Sequence, residues 1–136
     1  MGGIVQKGIL KNIILYGEKG AGKTLFLYQL QSEMNLEKDK IKSTFGVNYE
    51  IYSVREVNLG IFDLSGDIQQ YTLTNMITKA VDISGIIFIV SLDNIDLLDE
   101  SRDSLERIIG NNFINSPPSV YIIFNKKKKF RKIRLD

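Results

Sequence analysis

The fold of this chain is decided by the stretch Gly17-Glu18-Lys19-Gly20-Ala21-Gly22-Lys23-Thr24. It matches the pattern G-x-x-x-x-G-K-[ST] at every fixed position. Glycine adopts backbone angles that a Cβ would obstruct, so successive amide groups of the stretch can turn toward one anion. Lys23 would reach the outer phosphates of a nucleotide, and the Thr24 hydroxyl would complete the ligands of a phosphate-bound Mg²⁺. The stretch therefore predicts a phosphate-binding loop.

The residues on either side of the loop supply the context that it requires. Upstream, residues 13–16 form a continuous apolar run that is typical of a buried parallel strand. Downstream, apolar residues recur at helical spacing, and they are Leu25, Leu27, Tyr28, Leu30 and Met34. The alternative is a glycine-rich turn that merely ends in Lys-Thr. The predicted strand and helix favour the phosphate-binding loop.

Composition limits the chemistry that the chain can perform. Its 136 residues are 43% hydrophobic and 25% charged, which suits about one globular domain. Cysteine and histidine are absent, which excludes disulfides, thiol or imidazole catalysis and the usual zinc sites. Oxygen ligands remain, and Mg²⁺ is the metal that they favour. No signal peptide is visible, and the longest apolar run, residues 83–92, is too short for a membrane span, so we expect a cytoplasmic protein.

Charge is unevenly distributed along the chain. Residues 126–136 hold seven Lys and Arg and one Asp; since the whole chain carries +2, residues 1–125 carry −4. We expect a folded domain over residues 1–125 and a basic tail over residues 126–136. A solvated, disordered tail is favoured. The alternative is an anchor to an anionic membrane from Lys126 to Arg134, because each basic residue there contributes about 1 kcal/mol. The acidic body argues against binding to nucleic acid.

Strand and helix patterns alternate through the remaining chain. Residues 49–54 and 57–63 predict a β-hairpin with Arg55 and Glu56 at its turn. Helices are predicted over residues 68–80 and 97–109, and strands over residues 85–90 and 120–124. Asp63 ends the returning strand, where α/β sheets place ligand chemistry. A metal-binding role for Asp63 opposite the phosphate-binding loop is favoured over a helix-capping or turn role.

Two further motifs carry a resemblance to a known family. The segment from Thr44 to Glu50 fits T-x-G-x-N-x-E, and the segment from Asp63 to Gly66 fits D-x-x-G. Together with the phosphate-binding loop, they make residues 13–126 resemble a small GTPase of the Arf/Arl type. The resemblance implies the P-loop NTPase fold, a three-layer α/β sandwich. Its mostly parallel sheet would have the strand order 2-3-1-4-5, numbered along the chain, with the second strand antiparallel.

The resemblance also implies partners and residue roles. The protein would bind GTP or GDP with Mg²⁺, and Thr44 and the Gly66 amide would order around the γ-phosphate and the metal. Effector and regulatory proteins would bind from Thr44 to Asn48 and along the segment after Gly66. The predicted nucleotide-binding residues are Gly17, Glu18, Lys19, Gly20, Ala21, Gly22, Lys23, Thr24, Leu25, Thr44, Gly66, Asn125 and Lys126. The predicted metal ligands are Thr24, Thr44 and Asp63, and no catalytic residue is assigned.

The sequence departs from the family pattern at three places. The family positions its attacking water with a Gln after D-x-x-G, whereas this chain has Asp67, whose negative charge is unfavourable beside phosphates. The family recognises guanine with N-K-x-D, whereas here Lys128 replaces the carboxylate. The family also continues with a helix, an edge strand and a closing helix, so the domain is expected to be incomplete at its C-terminal end.

These departures leave three functions open. The leading one is a GTP-binding molecular switch of the Arf/Arl type with slow hydrolysis of GTP to GDP and phosphate. The second is a pseudo-GTPase that serves as an interaction module. The third is an ATP-binding P-loop protein, which the T-x-G-x-N-x-E segment disfavours. We expect a monomer, located peripherally at membranes if its basic tail binds them.

Overall fold

The computed structural model describes residues 8–34, 37–42, 47–64, 70–110 and 117–126. The strands are β1 (Ile9–Gly17), β2 (Glu37–Lys42), β3 (Asn48–Val54), β4 (Val57–Asp63), β5 (Gly85–Ser91) and β6 (Ser119–Asn125). The helices are α1 (Lys23–Met34), α2 (Gln70–Ala80) and α3 (Asp96–Ile109). The basic tail from residue 127 onward lies outside the described residues. No described helix is long and apolar enough to cross a bilayer.

A single sheet runs through the molecule in the order β2-β3-β4-β1-β5-β6. The central strand β1 pairs in parallel with β4 and with β5, and β5 pairs in parallel with β6. Strand β3 is antiparallel to β4. The five predicted strands correspond to β1, β3, β4, β5 and β6. Their predicted order and the antiparallel direction of the second one are confirmed.

Strand β2 lies in a charged stretch to which the sequence analysis assigned no strand. Its backbone pairs antiparallel with β3, so that Glu37 lies opposite Ser53 and Lys42 lies opposite Asn48. Five of the six residues of β2 are charged, and no apolar alternation marks them as a strand. An edge strand tolerates such a sequence because it packs few side chains into a core. Its pairing is decided by the exposed edge of β3.

Helices cover both faces of the sheet. Neighbouring residues of a strand point to opposite faces, and Ile14 and Leu15 of β1 accordingly belong to two different apolar clusters. The first cluster packs α2 and α3 against the sheet through Ile77 and Ile108. The second packs α1 against the other face through Leu27. The predicted three-layer α/β sandwich is confirmed.

The predicted hairpin turn also forms as expected. Strands β3 and β4 are joined by Arg55 and Glu56, and Val54 pairs with Val57 directly across the turn. Arg55 has a φ of 55°, the left-handed conformation that tight two-residue hairpins require. This turn sets the register that places Asn48 opposite Asp63. The end of the T-x-G-x-N-x-E segment is thus joined to the start of the D-x-x-G segment.

Candidate functional site

The phosphate-binding loop lies at the carboxyl edge of the sheet, between the end of β1 and the start of α1. Parallel pairing brings the ends of β4, β5 and β6 to the same edge, and with them Asp63, Ser91 and Asn125. Open α/β sheets bind their ligands at this edge. The topology therefore assembles residues that are more than one hundred positions apart in the sequence around one loop.

Glycines shape the loop for two different reasons. Gly20 and Gly22 have φ values of 82° and 108°, conformations that side chains with a Cβ rarely adopt. Gly17 instead provides space, because a Cβ there would lie 2.7 Å from the carbonyl oxygen of Ile89 on β5. The Ala21 amide closes the turn onto the Glu18 carbonyl at 3.0 Å. The conformation predicted from the glycine pattern is therefore built into the loop.

Lys23 is a buried cation at the end of the loop. Only 8% of its surface is exposed, and its Nζ donates to the Gly17 carbonyl oxygen and, at 3.3 Å, to Gln70 Oε1. Both acceptors are neutral, so they satisfy the ammonium group without cancelling its charge. A buried positive charge beside a glycine-shaped loop favours the binding of an anion.

Asp63 and Thr24 are the described members of the predicted metal site. Asp63 is half-buried at the end of β4. It pairs in register with Leu15 of β1, which lies two residues before the loop begins at Gly17. Burial raises the pKa of its carboxyl, the Lys23 ammonium opposes that rise, and the Glu50 carboxylate adds to it. Thr24 is exposed at the second position of α1. A hydroxyl and a carboxylate beside a phosphate site fit Mg²⁺, which prefers oxygen ligands.

The described residues alone do not form a complete cage for a metal ion. Across these ranges, no group of three or more carboxylate, imidazole or thiol side chains is placed to hold one. A cation bound by Asp63 and Thr24 would therefore need further oxygen atoms, and nucleotide phosphates are the usual source of them. A metal ion at this site would then depend on a bound nucleotide.

Asn125 ties the last strand to the loop. Its Nδ2 donates to the carbonyl oxygen of Ala21 at 2.8 Å, while the following Lys126 is exposed. A cavity of about 120 Å³ lies between the start of α1 and the ends of β5 and β6, and Leu25 and Asn125 are among the residues that line it. The cavity adjoins the loop at Gly22. Asn125 and Leu25, both predicted from sequence, are thus brought to the site.

Contacts that the sequence did not indicate hold the other side of the loop. Ser104 on α3 donates its hydroxyl to Glu18 Oε1 at 2.9 Å. Burial, followed by the nearby Glu18 carboxylate, raises the pKa of Tyr16. Arg107 lies 4.1 Å above the ring of Tyr71 and connects α3 with α2. The loop is therefore braced by α3, whereas Lys19 within it is exposed to solvent.

Gln70 is the site residue that sequence reasoning missed altogether. It begins α2, is 3% exposed, and accepts from the Gly17 amide at 3.2 Å as well as from Lys23. No motif or periodicity distinguishes it from a surface glutamine. Other predicted positions, namely Thr44, Gly66, Asp67 and Lys128, lie outside the described residues.

The strand order and this glycine-shaped loop with its buried lysine define a P-loop nucleotide-binding protein of the small GTPase class. Within that class, the chain matches the ADP-ribosylation factor (Arf) family over residues 4–134 and belongs to that family. Members of the family bind GTP and GDP and act through effector proteins. The resemblance to Arf/Arl GTPases that the sequence motifs predicted is confirmed.

Proposed function

We propose that the protein is an Arf-type switch that binds GTP together with Mg²⁺ and hydrolyses it slowly. The proposal is carried by the buried Lys23 ammonium, which neutral acceptors hold beside the loop. A buried ammonium group opposes folding through its desolvation unless negative charge compensates it. A triphosphate would supply the negative charge that offsets this cost. The predominant role of the site is therefore anion binding.

Magnesium would be held by Thr24 and Asp63, and the resemblance to Arf/Arl GTPases adds Thr44 as a further ligand. When bound, Mg²⁺ neutralises charge on the phosphates of the nucleotide. The pairing of Asn48 with Asp63 supports this coupling, since it joins the strand that follows Thr44 to the predicted metal ligand. A displacement of Asp63 on binding Mg²⁺ would therefore move Asn48, which lies in the segment proposed to bind effectors.

Slow hydrolysis follows from the residues available to position water. Asp67 occupies the place of the family glutamine, and a second negative charge near phosphates opposes the activation of water there. The carbonyl of Gln70 is already engaged by Gly17 and Lys23. Neither side chain is suited to orient an attacking water, so we expect a long-lived GTP-bound state.

A pseudo-GTPase is the second candidate, and the sequence at two positions favours it. Asp67 weakens catalysis, and Lys128 removes the carboxylate that would recognise guanine. Such a protein would serve as an interaction module through residues from Thr44 to Asn48 and the segment after Gly66. The loss at Lys128 also permits ATP binding.

We also propose that the protein is cytoplasmic and that it binds effector and regulatory proteins. Its basic tail would be the part that contacts an anionic membrane.

Nucleotide titrations test these alternatives. Fluorescent GTP and ATP analogues are titrated into the protein with and without Mg²⁺, and into the variants Lys23→Ala and Thr24→Ala. Each variant should weaken Mg²⁺-dependent binding by about 1.5–3 kcal/mol, since each loses a contact to a charged group. The exposed Lys79 and Thr72 on α2 supply the matched controls Lys79→Ala and Thr72→Ala. Unchanged affinity in Lys23→Ala and Thr24→Ala would favour the pseudo-GTPase.

A further inference from the structure

Gln70 makes a buried connection between helix α2 and the phosphate-binding loop. Its Oε1 accepts from the Gly17 amide at 3.2 Å and from Lys23 Nζ at 3.3 Å, and the residue is 3% exposed. The two donors lie at opposite ends of the loop, where β1 stops and where α1 starts. One carbonyl oxygen therefore holds together both ends of the loop.

The chemistry of an amide suits this position better than the alternatives. A glutamate would form an ion pair with Lys23 and cancel the charge that attracts phosphate. An apolar residue would leave the buried Gly17 amide without this acceptor, at a cost in stability. A neutral carbonyl satisfies both donors and leaves the ammonium its full charge. Asp63 already contributes one negative charge close to Lys23, so a second would compete directly with a nucleotide.

We propose that Gln70 is a positioning residue of the nucleotide site, which holds the Lys23 ammonium toward the outer phosphates and couples its position to the start of α2. The inference deepens the proposed function and rests on it. Because Gln70 is the first residue of α2, a displacement of this end of the helix would reach Lys23 through the Gln70 side chain. Nucleotide binding and the position of α2 are then linked.

The test compares two variants that place one carboxylate in the first turn of α2. Gln70→Glu directs it at Lys23, whereas Thr72→Glu places it at an exposed position of the same turn. Affinity for GTP with Mg²⁺ and the thermal unfolding midpoint are measured for both. Gln70→Glu should weaken GTP binding about tenfold or more, because the new carboxylate engages the ammonium. Its unfolding midpoint should stay near that of the wild type, since the acceptor is retained. Thr72→Glu should change neither value.

Gln70→Met separates this role from simple structural support. Methionine has a similar length but offers no carbonyl, so the unfolding midpoint should fall and GTP binding should weaken about threefold or more. If Gln70 had only a structural role, the GTP affinity would fall in step with the unfolding midpoint in both variants. The positioning role instead predicts that Gln70→Glu binds GTP more weakly while its unfolding midpoint is unchanged.

The outcomes distinguish this inference from the proposed function. If the wild type binds GTP and Gln70→Glu binds it with the same affinity, the positioning role of Gln70 is overturned. The proposed function as a GTP-binding switch is then unaffected. If Gln70→Glu does not fold, unchanged affinity in Gln70→Met has the same meaning. A wild-type protein that binds no nucleotide overturns both. The role is supported by weakened binding in Gln70→Glu and Gln70→Met, provided that the unfolding midpoint of Gln70→Glu stays near that of the wild type and Thr72→Glu is unaffected. Binding that weakens only in step with the unfolding midpoint in both Gln70 variants overturns it.

Discussion

Replacing Gly60 with alanine should destabilise the protein, although alanine ordinarily lowers the entropy of the unfolded chain relative to glycine. Gly60 lies in β4 between Asn12 on β1 and Ile51 on β3. A Cβ at this position would lie 2.0 Å from the Tyr49 hydroxyl oxygen and 2.6 Å from Asn12 Oδ1. The φ of Gly60 is not in the left-handed region, so glycine is required here for space. The tyrosine side chain crosses the strand above it.

The structure gives the size of the expected loss. Relief of the clash requires the Tyr49 ring to move, which breaks its 2.6 Å hydrogen bond to Asn12, worth about 1 kcal/mol. The ring also leaves its contact with Phe62, at a centroid distance of 4.4 Å and worth about 0.5–1.5 kcal/mol. Alanine also stabilises the protein by about 0.4–1 kcal/mol, because it lowers the conformational entropy of the unfolded chain. The packing loss is larger, so Gly60→Ala should lower the free energy of unfolding by about 0.5–2 kcal/mol.

Urea unfolding of matched variants measures this difference. Gly85→Ala is the control, because the nearest atom to its added Cβ lies at 3.6 Å, an ordinary contact. It should be neutral or slightly stabilising. In a Tyr49→Ala background most of the penalty of Gly60→Ala should disappear, since the ring is absent and only the Asn12 side chain still has to move. Equal unfolding free energies for Gly60→Ala and Gly85→Ala would refute the reasoning.

Four further predictions concern the site and the tail. Asp67→Gln should raise single-turnover GTP hydrolysis, and a fast wild-type rate would show that another residue orients the water. Lys128→Asp should strengthen the preference for GTP over ATP in competition titrations, unless the wild type already rejects ATP strongly. Burial raises the pKa of the Asp63 carboxyl, so its ionisation opposes folding. Asp63→Asn should therefore increase the free energy of unfolding at neutral pH. This increase should shrink as the pH falls through the pKa that Asp63 has in the folded protein. Liposomes with anionic lipids should bind the whole chain at low salt and release it as the salt concentration rises. A chain cut after Asn125 should not bind them. Binding that survives the cut would exclude the tail as the anchor.

Local features of the sequence were sufficient for the loop and the elements beside it. The Gly20 and Gly22 conformations follow from the residue type, the helix after Lys23 follows from apolar spacing, and the turn at Arg55 and Glu56 follows from two flanking strand patterns. Each of these depends on interactions between residues close together in the chain. Such interactions form in the same way whatever the rest of the molecule does, which makes them predictable.

The order of the strands could be predicted because parallel connections allow few arrangements, and the resemblance selected one of them. Strand β2 could not be predicted in this way. Its charged residues carry no alternation, and it becomes a strand because the edge of β3 offers backbone groups to pair with. The same stretch beside a different neighbour would have no reason to be extended.

Only the tertiary structure decided which side chains complete the site. Gln70 reaches Gly17 across 53 positions of sequence, and Ser104 reaches Glu18 across 86. Neither residue belongs to a motif, because each depends on where a helix is placed against the sheet. Gly60 is the corresponding case within the sheet, since its need for space comes from a tyrosine on the next strand. The sequence by itself determined the chemistry of the loop, and packing between distant elements determined what holds Lys23 in it.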